Sequence, residues 1–206
     1  SVLKIAAEGS EYISNGTCFI IDADKAGTVV LTNYHVIAEN PTNVSVYLPE
    51  GGTTHASLIY ANKEYDLAVL KTSQKINAAA LKFSSKIKKG DAVYTIGYPG
   101  ASDILSDNKA TTSDQATITD GVISMISSMK LYQNGPSIDI IQTTATINHG
   151  NSGGPLFNEN GEVIGVNTYG VDIAEAQGVY GSIAASSVKA FLNLSEQSFK
   201  IESEDI

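Results

Sequence analysis

Gly150-Asn151-Ser152-Gly153-Gly154-Pro155-Leu156 is the stretch on which the reading of this chain turns. One glycine lies two positions before the serine and two follow it. Glycine has no Cβ, so the backbone here is free to take positive φ and to run close to a ligand. A turn of this kind exposes a hydroxyl and aims neighbouring N–H groups at one point, where the oxyanion of an acyl-transfer reaction would form. A Gly-rich surface turn carrying a solvated serine explains the same residues, so the stretch needs partners before it means chemistry.

Two upstream stretches offer them. In Val30-Leu31-Thr32-Asn33-Tyr34-His35-Val36-Ile37 a strand runs into a histidine, a residue that gives and takes a proton near neutral pH. In Glu64-Tyr65-Asp66-Leu67-Ala68-Val69-Leu70 an acid opens an apolar strand. Each alone reads as readily as a structural strand end. Together they complete a set. A serine hydroxyl is a weak nucleophile without a base, and the base needs a carboxylate that fixes its tautomer. His35, Asp66 and Ser152 come in the chain order His, Asp, Ser, which is that of chymotrypsin and not of subtilisins or α/β-hydrolases. The only other histidines are His55 and His149. His149 adjoins the serine turn and is the local rival for the base; its place just before Gly150 reads better as groove wall.

Short apolar runs recur from end to end, at 17–21, 28–32, 44–48, 67–70, 92–96, 116–126, 138–143, 163–168 and 179–184. Ala26-Gly27, Glu50-Gly51-Gly52, Lys89-Gly90-Asp91, Asn134-Gly135-Pro136 and Asn160-Gly161 punctuate them. Many short strands between frequent turns predict an all-β barrel or sandwich. Residues 78–89 read as a crossover between two halves, 100–114 as a long polar loop, 186–193 as a capped helix, and 194–206 as a polar tail.

The chain has 206 residues, 42% of them hydrophobic and 17% charged, enough for one domain or two small lobes sharing a cleft. A formal net charge of −9 argues against a general nucleic-acid binder, which needs a basic face. The cluster Lys82, Lys86, Lys88 and Lys89 reads as a solvated turn. One cysteine, Cys18, allows neither an internal disulfide nor a cysteine metal site, and its apolar setting predicts a buried, inert thiol. No run of about 18 apolar residues predicts a membrane span.

At this point the sequence resembles the trypsin-like serine proteases, and among them the HtrA/Deg type. Leu31-Thr32-Asn33-Tyr34-His35-Val36-Ile37, Asp66-Leu67-Ala68-Val69-Leu70, Ile96-Gly97-Tyr98-Pro99-Gly100 and Gly121-Val122-Ile123-Ser124 carry the resemblance. So does the run from Ile141 through Phe157, with Glu162-Val163-Ile164-Gly165-Val166-Asn167-Thr168 following. The match extends over about 15–192. It implies two perpendicular six-stranded β-barrels, near 1–80 and 87–185, within a single protease domain over 1–206 that ends in a short helix. It implies His35 as general base, Asp66 as its orienter, Ser152 as nucleophile, and the N–H groups of Gly150 and Ser152 as oxyanion hole. No metal or other cofactor is implied.

The resemblance further places Thr146, Ile147, Asn148 and His149 along one side of the substrate site, and Asn167, Thr168 and Tyr169 along the other. With no acid at Thr146, the expected residue before the scissile bond is neutral and small or aliphatic, with Tyr169 or Tyr180 narrowing the pocket; a glutamyl preference through Thr146 and His149 is the weaker alternative. Cys18 stands where this family often has glycine, and His149 where it often has proline. Family members usually carry a PDZ domain after the protease, and the sequence to Ile206 shows none. Expected partners are extended or unfolded protein segments, with no nucleic acid. A homotrimer and an exported location follow from the resemblance alone. The rival to an active endopeptidase is a latent, peptide-binding module on the same fold.

Overall fold

The computed structural model describes residues 1–24, 26–100, 112–168 and 180–195. Twelve strands form among them: β1 (Val2–Glu8), β2 (Ile13–Ala23), β3 (Thr28–Thr32), β4 (Val44–Tyr47), β5 (Thr53–Asn62), β6 (Leu67–Thr72), β7 (Ala92–Gly97), β8 (Thr117–Met129), β9 (Ile138–Thr143), β10 (Pro155–Phe157), β11 (Val163–Thr168) and β12 (Tyr180–Ala184). Helix α1 is a single turn, Tyr34–Ile37, and α2 spans Ala185–Leu194. The strands close into two antiparallel barrels of six. Their neighbour orders are β1-β2-β3-β6-β5-β4 and β7-β8-β9-β12-β11-β10, so both barrels are wound the same way.

The strands that read most clearly as apolar runs are those with both faces buried. Side chains alternate across a strand. In β2, Cys18 and Ile20 point into the first barrel's interior, while Phe19 and Ile21 join a second core. In β3, Val30 faces inward and Val29 and Leu31 face that second core. In β6, Ala68 and Leu70 divide from Leu67 and Val69 in the same way. From the other barrel, Ile138, Ile140, Val163 and Ile183 reach the second core, as do Val188, Phe191 and Leu192 of α2. The barrels are therefore joined by a continuous hydrophobic layer, which α2 helps to seal. The residue 78–89 connection takes part as well. Phe83 is buried in that layer, and the Ser84 N–H donates to the Val163 carbonyl at 2.9 Å. Cys18 is fully buried, and burial pushes its thiol well above the usual range.

The nine expected strand runs are present, β1, β5 and β10 add to them, and α2 is one residue longer at each end than the predicted 186–193. Most of the expected polar loop at 100–114, and all of the tail beyond 195, lie outside the described residues. The described end of that loop forms a 3-10 turn, Ser113–Gln115.

Candidate active site

The site lies where strand ends of the first barrel meet loops of the second. β3 ends at Thr32, Asn33 takes the position before α1 without a side-chain capping bond, and the one-turn helix carries His35. Asp66 immediately precedes β6, which pairs with β3 through Thr32 opposite Ala68. That pairing sets the acid beside the histidine.

Asp66 is the best-anchored residue of the site. Its side chain is 6% exposed. Its carboxylate accepts the His35 backbone N–H at 3.0 Å, with the imidazole Nδ1 at 3.0 and 2.8 Å from its two oxygens. It also accepts the Thr168 hydroxyl at 2.7 Å, across the gap between the barrels. Its carbonyl accepts the Asn33 side-chain amide at 2.9 Å and the Tyr34 N–H at 3.1 Å. Its φ of 53° is the only positive value at a described non-glycine residue. Asp is among the few residues that tolerate this region, which otherwise costs about 1–3 kcal/mol. The pairing puts the Nδ1 proton on the carboxylate side, leaving Nε2 as the acceptor of a half-exposed ring.

Ser152 sits in a loop whose backbone is pinned at four successive carbonyls. The His149 carbonyl accepts Gly100 N–H at 2.9 Å, and the Gly150 carbonyl accepts the Thr17 hydroxyl at 2.6 Å. The Asn151 carbonyl accepts Gly154 N–H and the Ser152 carbonyl accepts Thr17 N–H, both at 2.9 Å. Asn151 and Gly153 N–H groups are spent on the Asn148 and Asn167 carbonyls. The N–H groups of Gly150 and Ser152 have no acceptor among the described residues. A trans peptide points its N–H opposite to its C=O. Because the His149 carbonyl faces Gly100, the Gly150 N–H faces away from it. Gly150 holds φ 101° and Gly153 φ 81°, values that favour glycine. A Cβ at Gly153 would also strike Thr32 Oγ1 and the Thr17 carbonyl.

The described hydrogen bonds tie His35 to Asp66, while Ser152 is positioned through its backbone rather than through a bond of its Oγ. The residues expected to flank the substrate divide into several groups. Asn148 and His149 are exposed beside the loop, and Thr146 is half-buried, its carbonyl accepting the Thr119 hydroxyl. Ile147 is core. The Asn167 amide is held in a buried network with Thr95, the Pro155 carbonyl and Ser182. Thr168 turns its hydroxyl onto Asp66, and Tyr169 lies outside the described residues.

The sequence alone assigns no role to Thr17, to Asn33 or to the Thr168–Asp66 bond. Thr168 follows Asn167 in a matched stretch and so was within view, whereas the hydroxyl of Thr17 shows its purpose only once a loop 133 residues away is folded against it. Among the described residues no cluster of three His, Cys, Asp or Glu side chains could hold a metal ion, and no helix is long and apolar enough to cross a membrane.

Known proteins carry the same architecture. The family described as trypsin-like peptidase domain matches residues 16–166. The serine protease Do-like HtrA of Bacillus subtilis is 31% identical over 180 residues, covering 85% of this chain and 38% of its own length. The mitochondrial serine protease HTRA2 of Bos taurus is 34% identical over 189 residues, covering 90% of this chain and 37% of its own length. This chain thus spans well under half the length of both relatives. Among solved structures, a protease from M. tuberculosis in its active form superposes with a TM-score of 0.78 at 25% identity, covering 96% of this chain and 82% of that one. The serine endoprotease from Yersinia pestis gives 0.71 at 27% identity, covering 94% and 61%. With its two six-stranded barrels and its HtrA and Do-like relatives, the chain belongs to the trypsin-like peptidase domain family.

Proposed function

We propose that the chain is a serine endopeptidase domain in which Ser152 is the nucleophile, His35 the general base and Asp66 the carboxylate that orients it. The Gly150 and Ser152 N–H groups bind the oxyanion. The observation that carries this reading is the buried Asp66 carboxylate on His35 Nδ1, beside a serine loop with two unspent N–H groups.

Ser152 Oγ bonds to the substrate carbonyl carbon as its proton passes to His35 Nε2, and the carbonyl electron pair moves onto oxygen. The two N–H groups stabilise that charge, an effect worth about 10²–10³ in turnover for one donor. The C–N bond then breaks, and the leaving amine takes the proton from Nε2. Water attacks the resulting ester, gives its proton to His35, and the serine oxygen leaves and recovers it. Asp66 keeps its hold on Nδ1 and stabilises the imidazolium.

The substrate is an extended or unfolded protein segment. A neutral small or aliphatic residue before the scissile bond fits a site with Thr, not an acid, at 146 and with Tyr180 half-buried on β12. Export, like assembly as a homotrimer, is proposed on the resemblance to HtrA-type proteases.

The test is labelling by a fluorophosphonate probe, with the modified residue located by mass spectrometry. Modification of Ser152, absent in Ser152→Ala, together with cleavage of unfolded casein, is the expected result. Folded protein that is neither labelled nor active would overturn the reading and favour a peptide-binding module.

A further inference from the structure

Thr17 is buried on β2, in the first barrel, and has no part in the triad. It nevertheless makes two of the four contacts that pin the serine loop. Its N–H donates to the Ser152 carbonyl at 2.9 Å, and its hydroxyl donates to the Gly150 carbonyl at 2.6 Å. The hydroxyl oxygen also accepts the Tyr98 N–H at 3.1 Å, and the Thr17 carbonyl accepts the Thr32 hydroxyl at 2.8 Å. One hydroxyl thus gives its proton to the serine loop and takes one from the segment that leads to Gly100. Gly100 in turn fixes the His149 carbonyl at 2.9 Å.

The surroundings are built for this contact. A Cβ on Gly97 would lie 2.9 Å from Thr17 Oγ1. A Cβ on Gly16 would lie 3.2 Å from the Ser152 carbonyl and closer still to Val36. β2 itself is held by its backbone ladder, Thr17 opposite Lys4, and does not need the hydroxyl.

We infer that Thr17 is a positioning residue for the oxyanion hole: its hydroxyl fixes the orientation of the Gly150–Asn151 peptide, and through it the aim of the N–H groups on either side. This rests on the reading of Gly150 and Ser152 as the oxyanion donors. A peptide held at its carbonyl by a buried hydrogen bond has no freedom to rotate, and its neighbours share that constraint through φ and ψ. Hole donors are effective only when preset at the position the oxyanion will take.

The experiment compares Thr17→Val, which keeps the shape and loses the hydroxyl, with Thr17→Ser, which keeps the hydroxyl and loses the methyl. A fluorogenic peptide amide gives kcat and KM, and crystal structures give the loop. Expected for Thr17→Val is a fall in kcat of about 10²-fold, the size of a lost hole donor, with KM little changed and the Gly150 carbonyl turned from its place. Thr17→Ser should retain most of the wild-type kcat. Folded Thr17→Val with near wild-type kcat overturns the inference, as does Thr17→Ser falling equally far. Ser152→Ala separates the two readings. Activity that survives in Ser152→Ala sinks the proposed triad, and the crystal structures then decide the role of Thr17: a Gly150 carbonyl unmoved in Thr17→Val overturns it.

Discussion

The Thr168 hydroxyl, at the end of β11 in the second barrel, donates to Asp66 Oδ2 in the first barrel at 2.7 Å. The same oxygen lies 2.8 Å from His35 Nδ1, so one buried carboxylate atom is shared between the two halves of the molecule. Replacing Thr168 by Val removes the donor and keeps the shape. A hydrogen bond to a charged group contributes about 1.5–3 kcal/mol. The variant should lose stability of that order in urea unfolding, and turnover by at least about tenfold.

Asp66→Asn should behave differently from Asp66→Ala. Asn accepts the left-handed backbone that Asp66 adopts, so the fold should survive, with a loss of stability no larger than that of Thr168→Val. The amide no longer holds the imidazole in the right tautomer, and in the chymotrypsin triad the same exchange lowers kcat about 10⁴-fold. A similar loss is expected on peptide hydrolysis. Asp66→Ala should add a loss of stability, because alanine is strained at this φ and leaves the His35 N–H unpaired.

Cys18 gives a pH prediction. Burial raises its thiol in the folded state, whereas in the unfolded chain it ionises near its ordinary value of about 8.5. Above that pH the unfolded state sheds the proton and the folded state keeps it. Stability should therefore fall as pH rises, by up to about 1.4 kcal/mol per pH unit from this group. Urea titrations between pH 7 and about pH 10, compared with Cys18→Ala, isolate the effect; equal slopes would refute it. Iodoacetamide should modify Cys18 only after denaturation.

Phe191 on α2 is fully buried, its ring 5.2 Å from Tyr60 and 6.0 Å from Tyr65, both of the first barrel. Phe191→Ala should cost about 3–5 kcal/mol in chemical denaturation. Because the cavity opens in the layer between the barrels, activity should be lost at lower denaturant than the first barrel's secondary structure.

Much of this architecture was legible because its central strands are apolar on both faces. Residues 28–32, 67–70 and 163–168 were read at or near their true bounds for that reason. Three strands escaped. β1 carries Lys4 and Glu8 among its apolar residues, and the buried Lys4 sets its ammonium 5.5 Å from the centre of the Tyr47 ring. β5 is polar at its start and bulges between Leu58 and Tyr60, which breaks the alternation. β10 has only three residues and hides inside the serine stretch. The shared winding of the barrels left no trace as a sequence repeat, since strand order is fixed by tertiary pairing. At the site, the three residues of the proposed triad could be named from type and order. The bonds made to the site by Thr17 and Thr168 could not, because their partners lie 133 and 102 residues away.

That separation bears on when the proposed triad could first assemble. Chains emerge N-terminus first, and the first barrel, carrying His35 and Asp66, is complete by residue 72. Alone it lacks Ser152, the proposed nucleophile. Even after Ser152 emerges, the second barrel must still be closed by β11 and β12, and Thr168 must reach Asp66. On the proposed triad, cleavage would therefore require both barrels, and a half-built copy would lack it.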